Sequence, residues 1–410
     1  MPSRYASLDR AALAALVPEL LLTGHLIDRS GMAWCIEKFG QDGMTEIAIA
    51  EWAAASPLYT RRMQRALGFV GTDVATIFKG MQLEIGAPPQ FMDFRYEVTD
   101  AHHGAFHLDH CGALMDVEPM GESYVRKMCH DIEDPTFDAT AVATNPKAQV
   151  RPLHRPPRVP ADRNPHCAWT VVIDESHRDV QPIPALEVNA RSRAATWELD
   201  PIDPTQEGAG DYAGPLVSDV DFASFSHSAL VRIAEEVCLQ MHLLNLAFHL
   251  AVAERAGGGR GTEVFDHVAG KQFTGHAGLT AQRLHRVLGL GTTPEDAARL
   301  IELHPAFNPA GYVELVRDDD TVRFTRSPAH DDGAWVSFCG PDQLDALRAV
   351  VRAVDPCLDV EVTGTGDDFT VRVLRQDGPA KEAPEVTVAK FSTGATFSFS
   401  ERRSLPLYVV

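Results

Sequence analysis

In the stretch AFHLDHC the chain sets His107, Asp109 and Cys111 at alternate positions. On a β-strand alternate side chains share a face, so these three are predicted to point one way and Phe106, Leu108 and His110 the other. Downstream come Cys129 and His130, with Asp131, Glu133 and Asp134 close behind, and later His166 and Cys167. Thiolate, imidazole and carboxylate gathered from several elements suit Zn²⁺ or a similar cation, and a catalytic site keeps one position open for water. The expected ligands are His107, Cys111, Cys129 and Cys167, with His130 beside them; zinc is the first metal to expect, iron or another divalent ion the second. A metal-free alternative is a thiolate on Cys111, Cys129 or Cys167, activated by His107, His130 or His166 and attacking an electrophilic carbon. On either reading Cys129, Asp109, His130 and Asp131 are the catalytic candidates.

Arginines accumulate in RPLHRPPR, and guanidinium forks suit a carboxylate or phosphate. Arg151 and Arg155 are therefore the candidate substrate-binding residues. The cysteine spacing fits no C-x-x-C or H-E-x-x-H pattern, and buried structural thiols are the bland alternative. His25, His242 and His249 lie among leucines in helical stretches and read as core or boundary residues.

A pattern written twice organises the chain. RYEVTDAHHGAFHLDHCG from Arg95 aligns without a gap with RFTRSPAHDDGAWVSFCG from Arg323, 228 residues on, and Cys111 falls on Cys339. In that register His107, Asp109 and His130 become Trp335, Ser337 and Leu358. Residues shared by both copies read as scaffold, and polar residues confined to one copy as candidates for function. An earlier match, Thr45 with Thr262, is offset by 217, which calls for an 11-residue insertion near HPAFNPAGYVELV.

Helical periodicity runs over residues 8–25, 45–58 and 60–86, and again over 226–255, 261–268 and 278–303. After the helices, FRYEV with AFHLDHC and TVRFT with AWVSFC read as hairpins. QVRPLHR and CAWTVVID close the first copy with strands, as EVTVAKF and TFSFS are expected to close the second. The predicted fold is α+β and internally duplicated: two helix-plus-antiparallel-sheet repeats, 1–197 and 223–410, form a pseudo-dimer about a Pro/Gly-rich linker, 198–222.

A net charge of −20 argues against nucleic acid or an anionic membrane surface as partner. The expected partner is a small molecule, with a homodimer as the one larger assembly left open. The N-terminal stretch carries charges within its apolar run and reads as an amphipathic helix rather than a signal peptide, and no run reaches about 18 uninterrupted apolar residues. Seven cysteines, an odd number, fit a reducing cytoplasm better than a disulfide framework.

The stretch from Cys111 to Trp169 resembles the L-2-amino-thiazoline-4-carboxylic acid hydrolase family, through HCGAL at 110–114, MCHDIEDPTF at 128–137, Asn145-Pro146, the arginine-bearing strand after it and HCAW at 166–169. The resemblance implies a small α+β domain and hydrolytic opening of a cyclic amidine that bears a carboxylate. The expected function is a hydrolase or lyase acting on a small, carboxylate-bearing substrate with a C=N or C–S bond, through a Cys/His site with or without metal. Its rivals are a metal-dependent oxidoreductase and a non-catalytic small-molecule or metal sensor.

Overall fold

A computed structural model describes residues 2–407. The protein is α+β, with two four-stranded antiparallel sheets packed on long central helices. Asp9 caps α1 (Arg10–Ala66), its carboxylate accepting from the Ala12 amide. This helix is not straight. Gly40 takes φ +70°, a left-handed conformation that an L side chain resists, and the helix folds back there. His25 and Trp52 would lie about 40 Å apart along a straight helix, yet their ring centroids are 6.1 Å apart.

Next come α2 (Val74–Met81), capped by Asp73, then β1 (Met92–Val98), β2 (His103–Cys111), α3 (Gly112–Val117) and α4 (Glu122–Arg126). A π-helical turn, Lys127–Ile132, joins α4 to α5 (Glu133–Ala141). β3 (Ala148–His154) and β4 (Cys167–Ile173) complete a sheet of order β1-β2-β4-β3, followed by the short helices α6 (Pro184–Asn189) and α7 (Arg193–Thr196).

Residues 198–221 form no helix or strand, but they are held: Tyr212 is buried and its hydroxyl donates to the Gln82 side chain at 2.7 Å. The second half runs α8 (His227–Ala256), α9 (Glu263–Leu288), α10 (Pro294–Leu303), β5 (Glu314–Asp318), β6 (Thr321–Thr325), α11 (Pro328–Asp332), α12 (Asp345–Val354), β7 (Leu358–Thr365), β8 (Asp368–Arg375) and α13 (Pro384–Ala389). Its sheet has the order β5-β6-β8-β7. AGGGRG makes the expected turn, with Gly257 at φ +70° ending α8.

Three expectations about strands in the second half fail. TVRFT pairs with Glu314–Asp318 rather than with AWVSFC. AWVSFC is buried at every position from Ala334 to Cys339 and coils into a 3₁₀ turn, so it presents no polar face for a half-buried strand. EVTVAKF follows Pro384, which opens α13 and carries its first five residues into that helix, and TFSFS forms no strand. The 228-residue register fails with them, because Arg95 lies on β1, the first strand of its sheet, and Arg323 on β6, the second of the other. Cross-strand partners give a different match: Phe106 on β2 pairs with Trp169 on β4, and Phe324 on β6 with Phe369 on β8, each as a stacked pair. The helical offset of 217 carries Gly40 onto Gly257, which share φ +70° but differ in ψ, −180° against 19°.

Each half also clasps the other. The α7 amides of Arg193 and Ala194 donate to Asp332, while Ser392 and Thr393, the corresponding stretch after α13, donate to Asp116. Arg62 pairs with Glu236 across the halves at 2.8 Å and Arg283 with Glu19 at 2.6 Å; both arginines also donate to carbonyls of these clasping segments. The hydrophobic core is continuous through both halves.

α1 and α8 have the length and apolar character of membrane spans, but 67% and 89% of their most apolar windows is buried inside the fold. They are compatible with core helices of a soluble protein.

Candidate functional site

The expected Cys/His set divides: Cys111, Cys129 and Cys167 lie near one another around Glu133, and His107 stands apart on the outer face of β2. Leu108 pairs with Phe94 and Cys111 with Met92, so β2 advances three residues while β1 advances two. This bulge reverses the alternation between Asp109 and Cys111. His107 and Asp109 face solvent by the ordinary alternation, bonded to each other at 3.3 Å, while the bulge turns Cys111 inward, where its Sγ accepts from the Leu114 amide as the cap of α3. Cys129 and Cys167 are buried on the inner side with Cys111. Among the described residues no group of three or more His, Cys, Asp or Glu side chains is arranged to hold a metal, and His107, Cys111, Cys129 and Cys167 do not form one ligand set.

The remaining candidates are occupied locally. His130 Nε2 meets the Pro156 carbonyl at 2.6 Å and ties the π-turn to the proline-rich loop. Asp131 bonds Lys127 at the surface. Arg151 donates to both oxygens of Asp138, and Arg155 bonds Asp134. The thiols move away from activation: burial pushes Cys111 up to about 12, and burial followed by the nearby Glu133 carboxyl pushes Cys129 and Cys167 well above the ordinary thiol range.

Polar groups without partners gather elsewhere in the first half. A cavity of about 70 Å³ lies between the two limbs of α1, the segment from Met81 to Phe94, and the helix that runs through the π-turn into α5. That volume holds about five waters. Both nitrogens of His25, the Tyr59 hydroxyl and Oε2 of Glu133 line it and have no hydrogen-bond partner among the described residues, although all three side chains are buried. Buried polar atoms are paired in the great majority of cases, so several orphans around one space mark a place for water or ligand. Thr136, Phe137 and Thr140 on α5, together with Gly86, are only partly buried and form its mouth.

Charge is concentrated here as well. Asp28, Arg29 and Glu84 line the cavity, and Arg29 bonds Asp28 at 2.7 Å and Asp116 at 3.3 Å, so its charge is met twice over. Burial pushes Glu84 up to about 8; Thr60, donating to it at 3.0 Å, pulls slightly the other way. Burial and then Asp134 push Glu133 up to about 8 against the weaker pull of Arg155 and Arg29. Burial and then the neighbouring Asp28 raise Glu51 well above the ordinary carboxyl range, against the weaker pull of Arg29. Burial and then Arg29 bring His25 down to about 3, and the nearby Ile85 backbone favours its charged form slightly without a hydrogen bond to the ring. Near neutral pH the site therefore holds a neutral imidazole and carboxyls poised to give or take protons.

At the helical offset Asp28, Arg29, Glu51 and Trp52 become Asn245, Leu246, Val268 and Ala269, while His25 and Tyr59 become His242 and His276. Trp335 fills the space between those two histidines, with ring centroids 5.5 and 4.9 Å away, and Tyr312 packs on His242. His25 is buried, as a core residue is, but it also lines this cavity; the signal in the sequence was the Asp-Arg pair three residues on, set in the apolar run HLIDRSGMAW. No family model, curated protein or solved structure matches the chain.

Proposed function

We propose that the protein is a hydrolase or lyase of a small C=N or C–S compound, and that the reaction takes place in this cavity rather than at the expected cysteines. The observation that carries the reading is the convergence of unpartnered His25, Tyr59 and Glu133 on one small space. For hydrolysis of a C=N bond, Glu133 as carboxylate accepts a proton from water while the water oxygen bonds to carbon. The C=N π pair moves to nitrogen, which takes a proton from Tyr59 or from protonated Glu84. The tetrahedral carbon then collapses to C=O as its hydroxyl proton passes to the Tyr59 or Glu84 that had protonated the nitrogen, the C–N bond breaks, and Glu133 gives its proton to the leaving amine. Surrounding apolar walls from Met81, Met92, Phe94 and Ile132 keep bulk water out.

We also infer that the chain is a duplicated pseudo-dimer whose first half kept the reactive space. Support comes from the shared strand order, the matched Gly40 and Gly257, and the crossed clasps through Asp116 and Asp332. The filling of the second half's counterpart by Trp335 fits the same history.

The test is turnover of cyclic amidines, thiazolines, imines and thioethers by the purified protein, followed by mass analysis of products. Hydrolysis or elimination that Glu133→Gln lowers at least a hundredfold supports the reading. No turnover across the panel, or turnover untouched by Glu133→Gln, overturns it.

A further inference from the structure

We propose that the cavity binds a small organic cation, held by Glu133 and Glu84 among the rings of Trp52, Tyr59 and Phe94. This rests on the reading that the cavity is the functional site, and it names what the site selects. Three acidic residues line the space, Asp28, Glu84 and Glu133, against one arginine already paired with two carboxylates. A free carboxylate entering here would meet no unpaired positive charge and would add to the acids. An ammonium or similar cation meets carboxylate oxygens and the negative faces of aromatic rings, the combination that favours quaternary and alkylated ammonium groups. Glu133 lines the space, and its buried Oε2 has no hydrogen-bond partner among the described residues.

Binding then carries a proton signature. Glu84 and Glu133 are held protonated toward pH 8 mainly by burial, and a cation beside either one favours its ionised form. The groups facing Glu133 are Asp134, Arg155, Arg29 and the thiols Cys111, Cys129 and Cys167; those facing Glu84 are Thr60, Tyr59 and Tyr96. From α1, Glu51, Asp28 and His25 complete the surroundings. None is a cation able to hold a newly formed carboxylate in the ligand's place, since both arginines are already bonded to acids.

Isothermal titration of the full chain with tetramethylammonium chloride, in buffers of differing ionisation enthalpy at pH 6, 7 and 8, tests this. The expected result is release of about one proton per cation bound and affinity rising about tenfold per pH unit from 6 to 7. Glu133→Gln or Glu84→Gln should flatten that rise, with thermal melts on the same samples showing the fold retained. Affinity independent of pH, binding unchanged in both glutamine variants, or acetate binding where tetramethylammonium does not overturns the proposal. Turnover lost in Glu133→Gln together with acetate preference would sink the cation and spare the enzyme; cation binding without turnover would do the reverse.

Discussion

Glu133 and Glu84 leave bulk water without gaining a positive partner at hydrogen-bond distance, so each resists ionisation in the fold and not in the unfolded chain. Unfolded, they lose their protons near 4.5; folded, near 8. Between those values the native state binds more protons, and stability falls as pH rises. His25 works oppositely: held down to about 3, it withdraws stability only as pH falls below 6.5. The window from pH 6.5 to 8 therefore isolates the carboxyls, with Glu235, raised to about 7, adding to the lower part. Each carboxyl should contribute a decline on the order of 1 kcal/mol per pH unit there. Denaturant melts should show this slope reduced in Glu133→Gln; an unchanged slope would place its carboxyl in contact with water. At this scale the sequence named His107, Asp109 and Cys111 as sharing one face, and the structure parts them. Glu133 lines the cavity, but Asp109 and His107 face out by the plain alternation of β2, and one bulged residue turns Cys111 inward, away from them. Asp28, Arg29 and Glu51 were visible as charges in apolar helices, and the offset of 217 already turns them into Asn245, Leu246 and Val268.

The cavity exists only because α1 folds back on itself at Gly40. With φ +70° and open space within 4 Å of the point a Cβ would occupy, an alanine there would suffer backbone strain alone. Gly40→Ala should destabilise by about 1 kcal/mol, whereas Gly270→Ala in α9, with ordinary φ and open space, should stabilise by a few tenths to about 1 kcal/mol. Equal effects in denaturant melts would deny the special role of the turn. Helices and the first sheet were readable because their periodicities are long or flanked by Gly and Pro. In the second half AWVSFC and EVTVAKF carry strand-forming residue types, but complete burial and a leading Pro384 decide for turn and helix. The gapless 228-residue match of the two hairpin strings was a match of composition: it laid the first strand of one sheet on the second strand of the other.

Across the whole molecule the halves are held by exchanged segments and by two cross-half ion pairs, Arg62–Glu236 and Arg283–Glu19, whose arginines are at least nine-tenths buried. The connection between them is exposed from Pro204 to Ala209. A protease site placed at Glu207 and cut should leave both fragments in one particle during gel filtration, because the shared core and clasps remain; fragments that separate would contradict the pseudo-dimer. The α+β class was legible from the alternation of helical and strand-like stretches. The clasps were not, since Asp116 and Asp332 meet segments more than a hundred residues away and carry no local pattern. Where the chemistry sits, in the cavity or on the outer face of β2, is addressed directly by turnover of the C=N and C–S panel by Glu133→Gln and His107→Ala, measured side by side. Loss of at least a hundredfold in the first with near-normal rates in the second is the predicted result; an inactive His107→Ala beside an active Glu133→Gln would contradict it.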